Sequence, residues 1–261
     1  MLACIAVLAT PAPACAAASV YLEELTTTEV RAEVAAGTTT ILVPIGGTEE
    51  NGPHMVLGKH NVRAHILAGR IAHALGNALV APVIAYVPEG SIVPAAQHMR
   101  FAGTISIPPA AFEAMLEAAA ESFAAHGFRD IVFLGDHGGY QTSEAAAAAR
   151  FNRSWKRTPA RAHALAAYYR AAAADFPAAL RAHGYSEAEI GTHAGLADTA
   201  LALAVDPALV REDILHAGRD LDAAHGVYGD PRRATAALGA PGIDDIVRVS
   251  VAAIRREVAR R

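Results

Sequence analysis

The chain has 261 residues, a formal net charge of -4, 53% hydrophobic residues and 18% charged residues. That content supplies a large buried core and excludes an intrinsically disordered protein. No basic block or stripe occurs, so nucleic acid is not an expected partner, and no run after residue 18 is long and uncharged enough to span a membrane.

Residues 1–18 are apolar and rich in small side chains, ending Ala14-Cys15-Ala16-Ala17-Ala18. They read as a signal-peptide core with a small-residue cleavage site, lacking a basic leader. Export to the periplasm is the expectation; if the segment is not a signal, the location is cytoplasmic. Cys4 and Cys15 both lie in it, so a mature chain of residues 19–261, read as one domain, has no disulfide and no thiol chemistry.

Along the mature chain, Leu22 to Ala36 has helical spacing, with Thr26-Thr27-Thr28-Glu29 as its start. Thr39–Ile45 reads as a buried strand, Val62 to Leu75 as a helix closed by Gly76, and Leu79–Tyr86 as a second strand. Pro88 to Met99 is a Gly- and Pro-containing loop that carries His98, followed by a short strand, Gly103–Ile107. Pro108-Pro109 opens a helix over Ala110–His126, and Asp130–Gly135 is another buried strand. Ser143–Arg157 is helical. Ala162–Ala167 takes a strand's place in the order although its alanines favour helix. A further helix begins near Leu196, and Asp230-Pro231 and Ala240-Pro241-Gly242 are turn signals in a C-terminal loop region. Helices alternating with short apolar strands predict an α/β fold with a mostly parallel sheet covered on both faces.

Three polar segments carry the chemistry. Glu49, Glu50, His54 and His60 follow the first strand; Asp136, His137, Tyr140 and Gln141 follow the strand 130–135; and His193 and Asp198 flank Ala194-Gly195. Loops at the carboxyl ends of parallel strands meet along one edge of the sheet, so these segments are placed to converge. Carboxylate and imidazole are ordinary ligands for a zinc-like ion.

Read in order, Gly47-Thr48-Glu49, Gly52-Pro53-His54, Phe101-Ala102-Gly103-Thr104, Gly135-Asp136-His137-Gly138-Gly139, His193-Ala194-Gly195 and Gly226-Val227-Tyr228-Gly229-Asp230-Pro231 resemble the creatininase (creatinine amidohydrolase) family. The resemblance implies a three-layer α/β/α sandwich, a metal site at the strand ends, and hydrolysis of C–N bonds in cyclic amides, formamides or peptides. It also implies a homo-oligomer, commonly a hexamer. Carried over position by position, Glu49 and His137 match metal ligands. Asn51 stands where the family has a histidine ligand, His60 where it has a bridging aspartate, and Gly139 where creatininase has a glutamate.

With the ligands peculiar to a second metal absent, the resemblance points to a mononuclear site. Glu49, His60 and His137 are its expected ligands, holding one divalent metal per chain, zinc first and manganese as the alternative. His193 is the expected proton-transfer group, with Asp198 orienting it or serving as a fourth ligand. Glu50 and Asp136 are expected to hydrogen-bond the metal-bound imidazoles. Asn51, His54, His98, Tyr140 and Gln141 are candidate substrate contacts or loop residues. His65, His73, His126, His163, His183, His216 and His225 read as structural. The expected function is metal-dependent hydrolysis of a C–N bond in a small cyclic amide or related amide, through a metal-activated water, on a small-molecule substrate. The alternatives are hydrolysis of a different bond (lactone, cyclic ketone or peptide) and a non-catalytic ligand-binding homologue.

Overall fold

Strands β1 (Thr40–Ile45) and β3 (Asp130–Gly135) are buried over their whole length, because each is a continuous apolar run bounded by polar or glycine residues. With β2 (Ala78–Val80) and β4 (Arg161–Ala164) they form a parallel sheet in the order β2-β1-β3-β4. The structure is a computed structural model and describes residues 19–259. Residues 1–18, on which the signal-peptide reading and both cysteines fall, lie outside the described residues. Thr40 pairs with Asp130 and Ile45 with Gly135, so β1 and β3 end at the same level.

The period-2 alternation of side chains divides the core in two. Ile41, Val43, Ile45, Ile131 and Phe133 face one side of the sheet; Leu42, Val132 and Leu134 face the other. In chain order the helices are α1 (Thr27–Ala36), α2 (Lys59–Leu75), α3 (Pro109–Ala125), α4 (Gln141–Ser154), α5 (Ala166–Arg170), α6 (Phe176–Ala182), α7 (Glu187–Ile190), α8 (Leu196–Val205), α9 (Glu212–Ala217) and α10 (Ala236–Ala259). Phe112 and Leu116 of α3 and Phe151 of α4 cover the first face, with α1 at its margin. Leu67 and Ile71 of α2, Leu201 of α8 and Ile246 of α10 belong to the core on the second. This is the three-layer α/β/α sandwich expected from the resemblance. No helix among the described residues is long and apolar enough to cross a membrane.

The α1 start is a capping box: Glu29 N–H donates to Thr26 Oγ1 (3.3 Å) and Thr26 N–H to Glu29 Oε2 (2.7 Å). Three expectations need correction. The second strand is cut to Ala78–Val80, because Pro82 has no N–H to continue the ladder, and only an isolated bridge, Ile45 to Ile84, follows. Gly103–Ile107 is not a sheet strand; Ile105 and Ile107 donate instead to the carbonyls of Thr48 (2.9 Å) and Val87 (3.2 Å), binding loop to loop. The Ala240-Pro241-Gly242 turn is helix: α10 runs through it from Ala236. Pro241 lies just past the first turn, where a missing N–H removes few bonds. Close packing accounts for a neighbouring glycine, since a Cβ on Gly239 would lie 2.0 Å from the Ala200 carbonyl oxygen of α8.

Candidate metal centre

The loop after β1 is clamped to the first turn of α2. Asn61 Oδ1 accepts from Gly47 N–H (2.9 Å), and a Cβ on Gly46 would sit 2.2 Å from that same oxygen. Asn51 is fully buried, and its amide donates to the carbonyls of Glu49 (2.9 Å) and Val56 (3.1 Å). The clamped loop turns the Glu49 carboxylate inward, away from solvent.

Four side chains from three loops then converge. Glu49 Oε2 lies 3.3 Å from His98 Nε2 and 3.5 Å from His137 Nε2, and Glu89 Oε2 lies 3.4 Å from His137 Nδ1. One candidate ligand atom from each of Glu49, Glu89, His98 and His137 falls within 4.8 Å of all the others. Glu89 is placed by Ser106, whose hydroxyl accepts from Glu89 N–H (2.9 Å) and donates to the Gly90 carbonyl (2.7 Å). Glu49 Oε2 and both Glu89 oxygens are buried without a hydrogen-bond partner. Burial, then the neighbouring Glu49, pushes the Glu89 carboxyl up to about 9. Burial holds the His137 imidazole down at about 4, which keeps a ring nitrogen unprotonated at neutral pH. Orphaned carboxyl oxygens facing imidazole nitrogens are a donor set suited to a divalent cation.

A second carboxylate–imidazole group adjoins the first through His98. Glu50 Oε1 lies 3.2 Å from His98 Nδ1 and 3.4 Å from His193 Nε2, while Glu50 Oε2 accepts from Gly52 N–H (3.1 Å). Burial opposes its ionisation, but hydrogen bonds from His193 and His98 prevail and bring the Glu50 carboxyl down to about 2. This carboxylate is satisfied within the protein.

On the α2 side, the charges are matched by fixed cations. Lys59 is buried in an ion pair with Asp198, and its Nζ is 4.0 Å from Glu49 Oε1. Arg63 reaches Asp136 Oδ2 (2.8 Å) and Asp198 Oδ1 (3.3 Å), and Tyr168 OH donates to Asp136 Oδ1 (2.8 Å). His60 lies between two acids, with Nε2 2.9 Å from Glu49 Oε1 and Nδ1 2.7 Å from Asp136 Oδ2. Burial works against its charge, but those two carboxylates raise its pKa.

The profile of the creatininase family, described as creatinine amidohydrolase, matches residues 23–254. The mycofactocin precursor peptide peptidase of Mycolicibacterium smegmatis is 31% identical over 220 residues, spanning 76% of this chain and 77% of that protein. The creatinine amidohydrolase of Pseudomonas putida is 30% identical over 119 residues, 46% of this chain and 45% of its own. Among solved structures, a manganese form of creatininase shares the fold with a TM-score of 0.75 and 24% identity, covering 92% of this chain and 98% of its own.

The chain belongs to the creatininase family. It is therefore a creatininase-like amidohydrolase, as the resemblance led one to expect.

Against the creatininase expectations the geometry redistributes several roles. Glu49 and His137 meet, as their family positions imply. His60, expected as the third ligand, has both ring nitrogens directed at carboxylates and stands outside the converging group. His98, one of several candidates in the loops, is central to it. Asn51 and Gln141 tie backbone; Gln141 Nε2 donates to the carbonyls of His137 (2.9 Å) and Gly135 (3.2 Å). Tyr140 is fully buried beneath the site and donates to the Ile45 carbonyl (2.9 Å), which rules out substrate contact in this conformation. His54 is fully buried too, with Nε2 3.0 Å from Thr199 Oγ1 on α8. At Gly139 a Cβ would lie 3.1 Å from the His137 ring, so the position leaves little room for any side chain. Asp198 accepts from Ala194 N–H (3.1 Å) and thus holds the His193 loop by its backbone, at a residue with φ of 53°.

Glu89, Lys59 and Arg63 escaped the sequence reading. Glu89 had a usable signal, being an acid just past an apolar run. Lys59 and Arg63 had a subtler one, as cations in the opening turns of a helix oppose its dipole and so call for acidic partners.

Two clefts open on the centre, and His137 borders both. One, of about 670 Å³, is walled by Ile92, Val93 and Ile107 with Glu89 and His98 at its base. The other, of about 370 Å³, is polar and includes Arg63, Arg181, His193 and Asp198.

Proposed function

We propose that this chain hydrolyses a C–N amide bond with one divalent ion held by Glu49, Glu89, His98 and His137. The observation that carries the reading is the set of buried oxygens on Glu49 and Glu89 that no protein group satisfies. Asp136 and Asp198 are matched by Arg63 and Lys59, which leaves the orphaned oxygens of Glu49 and Glu89 as the unsatisfied acceptors of the centre. Zinc and manganese both suit two carboxylates and two imidazoles. When bound, such an ion supplies the Lewis acidity that makes water nucleophilic near neutral pH and polarises an amide carbonyl.

The protein's own groups supply the rest. His193 Nε2 donates to the Glu50 carbonyl (2.9 Å), which leaves Nδ1 as the proton acceptor, 3.8 Å from Glu49 Oε1 and beside the polar cleft. His193 is thus the group that takes a proton and returns it to the leaving nitrogen. Asp198 and Lys59 hold its loop. His60 keeps Glu49 oriented through Oε1, leaving Oε2 for the ion, and Asp136 in turn fixes His60. The named substrates of the relatives, a peptide and creatinine, both offer an amide C–N bond to this arrangement. A homo-oligomer, hexameric by family likeness, and a periplasmic location belong to the same proposal, to be checked by light scattering and by cell fractionation.

The test is elemental analysis of purified protein. About one ion per chain is expected, lost in His137→Ala and Glu89→Gln and retained in His193→Ala. Two ions per chain, or equal loss in all three variants, would overturn the ligand set.

A further inference from the structure

The larger cleft says something about what the site accepts. Its floor is formed by Glu89, His98 and His137, three of the four groups assigned above to the ion. Among the described residues these are the only ionisable side chains lining it, so away from the floor the cleft offers no charged partner to a substrate. Its walls are mostly proline and aliphatic, Pro88, Pro108 and Pro109 with Ile92, Val93 and Ile107, interrupted by Ser91, Gln97 and Ser106. Ile92 is 52% exposed and Val93 88% exposed at the rim, two aliphatic side chains held in water beside a catalytic floor. Prolines stiffen the wall, so little ordering is needed to seat a ligand against it. A volume of about 670 Å³ is that of a site for a sizeable molecule; a compact ring amide would leave most of it to water.

We propose that the substrate is an amide bearing a bulky apolar group, and that this group occupies the cleft between Ile107 and the Ile92–Val93 rim. The inference rests on the metal-centre reading, because it takes the floor of the cleft as the reacting end. The polar remainder of the substrate lies across His137, in the cleft with Arg63 and Arg181. Ile92, Val93 and Ile107 are therefore specificity determinants that touch the substrate away from the scissile bond.

Hydroxamates, which chelate a divalent ion, test this without knowledge of the natural substrate. The zinc-loaded protein is titrated calorimetrically with acetohydroxamate and with two series, one extended on the carbonyl carbon and one on nitrogen, from methyl to isobutyl to phenethyl. The phenethyl member of at least one series should bind about tenfold or more tighter than its methyl member, as expected for apolar area removed from water. The gain, read as the ratio of phenethyl to methyl affinity within each protein, should vanish in Ile92→Ser/Val93→Ser, whose positions are exposed, and in Ile107→Ala. A gain below twofold in both series, or a gain that survives both variants, overturns the proposal. So does a change in oligomeric mass with unchanged hydroxamate affinity in the rim variant, which assigns Ile92 and Val93 to a contact between copies of the chain. If acetohydroxamate itself fails to bind, the fault lies with the metal reading instead.

Discussion

Two sides of one buried centre handle negative charge differently. On the α2 side, Asp136 and Asp198 are met by Arg63 and Lys59, and every partner is fixed in the chain. On the loop side, Glu49 and Glu89 share His98 and His137, and three of their oxygens have no hydrogen-bond partner. Burying carboxylates is costly in both places. The α2 side meets that cost with residues of the helix and is complete without a ligand. The loop side keeps unsatisfied oxygens, which the proposed ion would meet.

The largest effects break the loop side. Glu89→Gln or His137→Ala should lower turnover of any amide substrate by at least ~1000-fold, since the ion's Lewis acidity is lost with its ligands. Rates measured with saturating zinc separate weak binding from a lost role. A variant rescued to parental kcat by added metal would show that its residue is not required.

Arg63→Met attacks the α2 side. It leaves buried Asp136 and half-buried Asp198 each short of a partner, and the expected loss is about 3–5 kcal/mol of folding stability, read by urea denaturation. A loss below 1 kcal/mol would mean that the two aspartates are hydrated or protonated, and the contrast between the sides would weaken. The complementary measurement is chelation. With free zinc at ~100-fold its Kd, removal of the ion should lower stability by about 2.7 kcal/mol in the parent and leave Glu89→Gln nearly unchanged.

How much of this was legible before the fold was known follows the same division. β1 and β3 were readable because strands buried on both faces are continuous apolar runs, and Glu49 and His137 were readable as polar residues where such runs stop. Glu89 follows an apolar run too, but its signal is weaker, because Pro82 ends the strand early and the chain reaches the site only through a loop pinned by Ser106. His60 stands outside the converging group for an electrostatic reason: its partners Glu49 and Asp136 come from two separate loops, and nothing local reveals that both its nitrogens are engaged. α10 was hidden by Pro241-Gly242, which punctuates a sequence far more strongly than it disturbs the opening turns of a helix.

Glu144 supplies an internal control, a third way of burying an acid. Glu144 on α4 is buried with Oε1 unpartnered, and no fixed cation or candidate ion site adjoins it among the described residues. Burial alone raises its pKa well above the usual carboxylate range. Such a group stays protonated in the folded protein while the unfolded chain ionises, so unfolding releases a proton once the pH exceeds the unfolded value. Its contribution is fully present below that value and is lost as the pH rises toward the folded one, at up to about 1.4 kcal/mol per pH unit. Glu144→Gln removes the titration and should flatten this component. Urea denaturation of parent and variant at several pH values between 5 and 7 isolates it, because the other acids are common to both and cancel in the difference. The variant should gain on the parent steadily as the pH rises. A pH-independent difference would mean that Glu144 is ionised in the fold, and would require a cation beside it that the present arrangement does not provide.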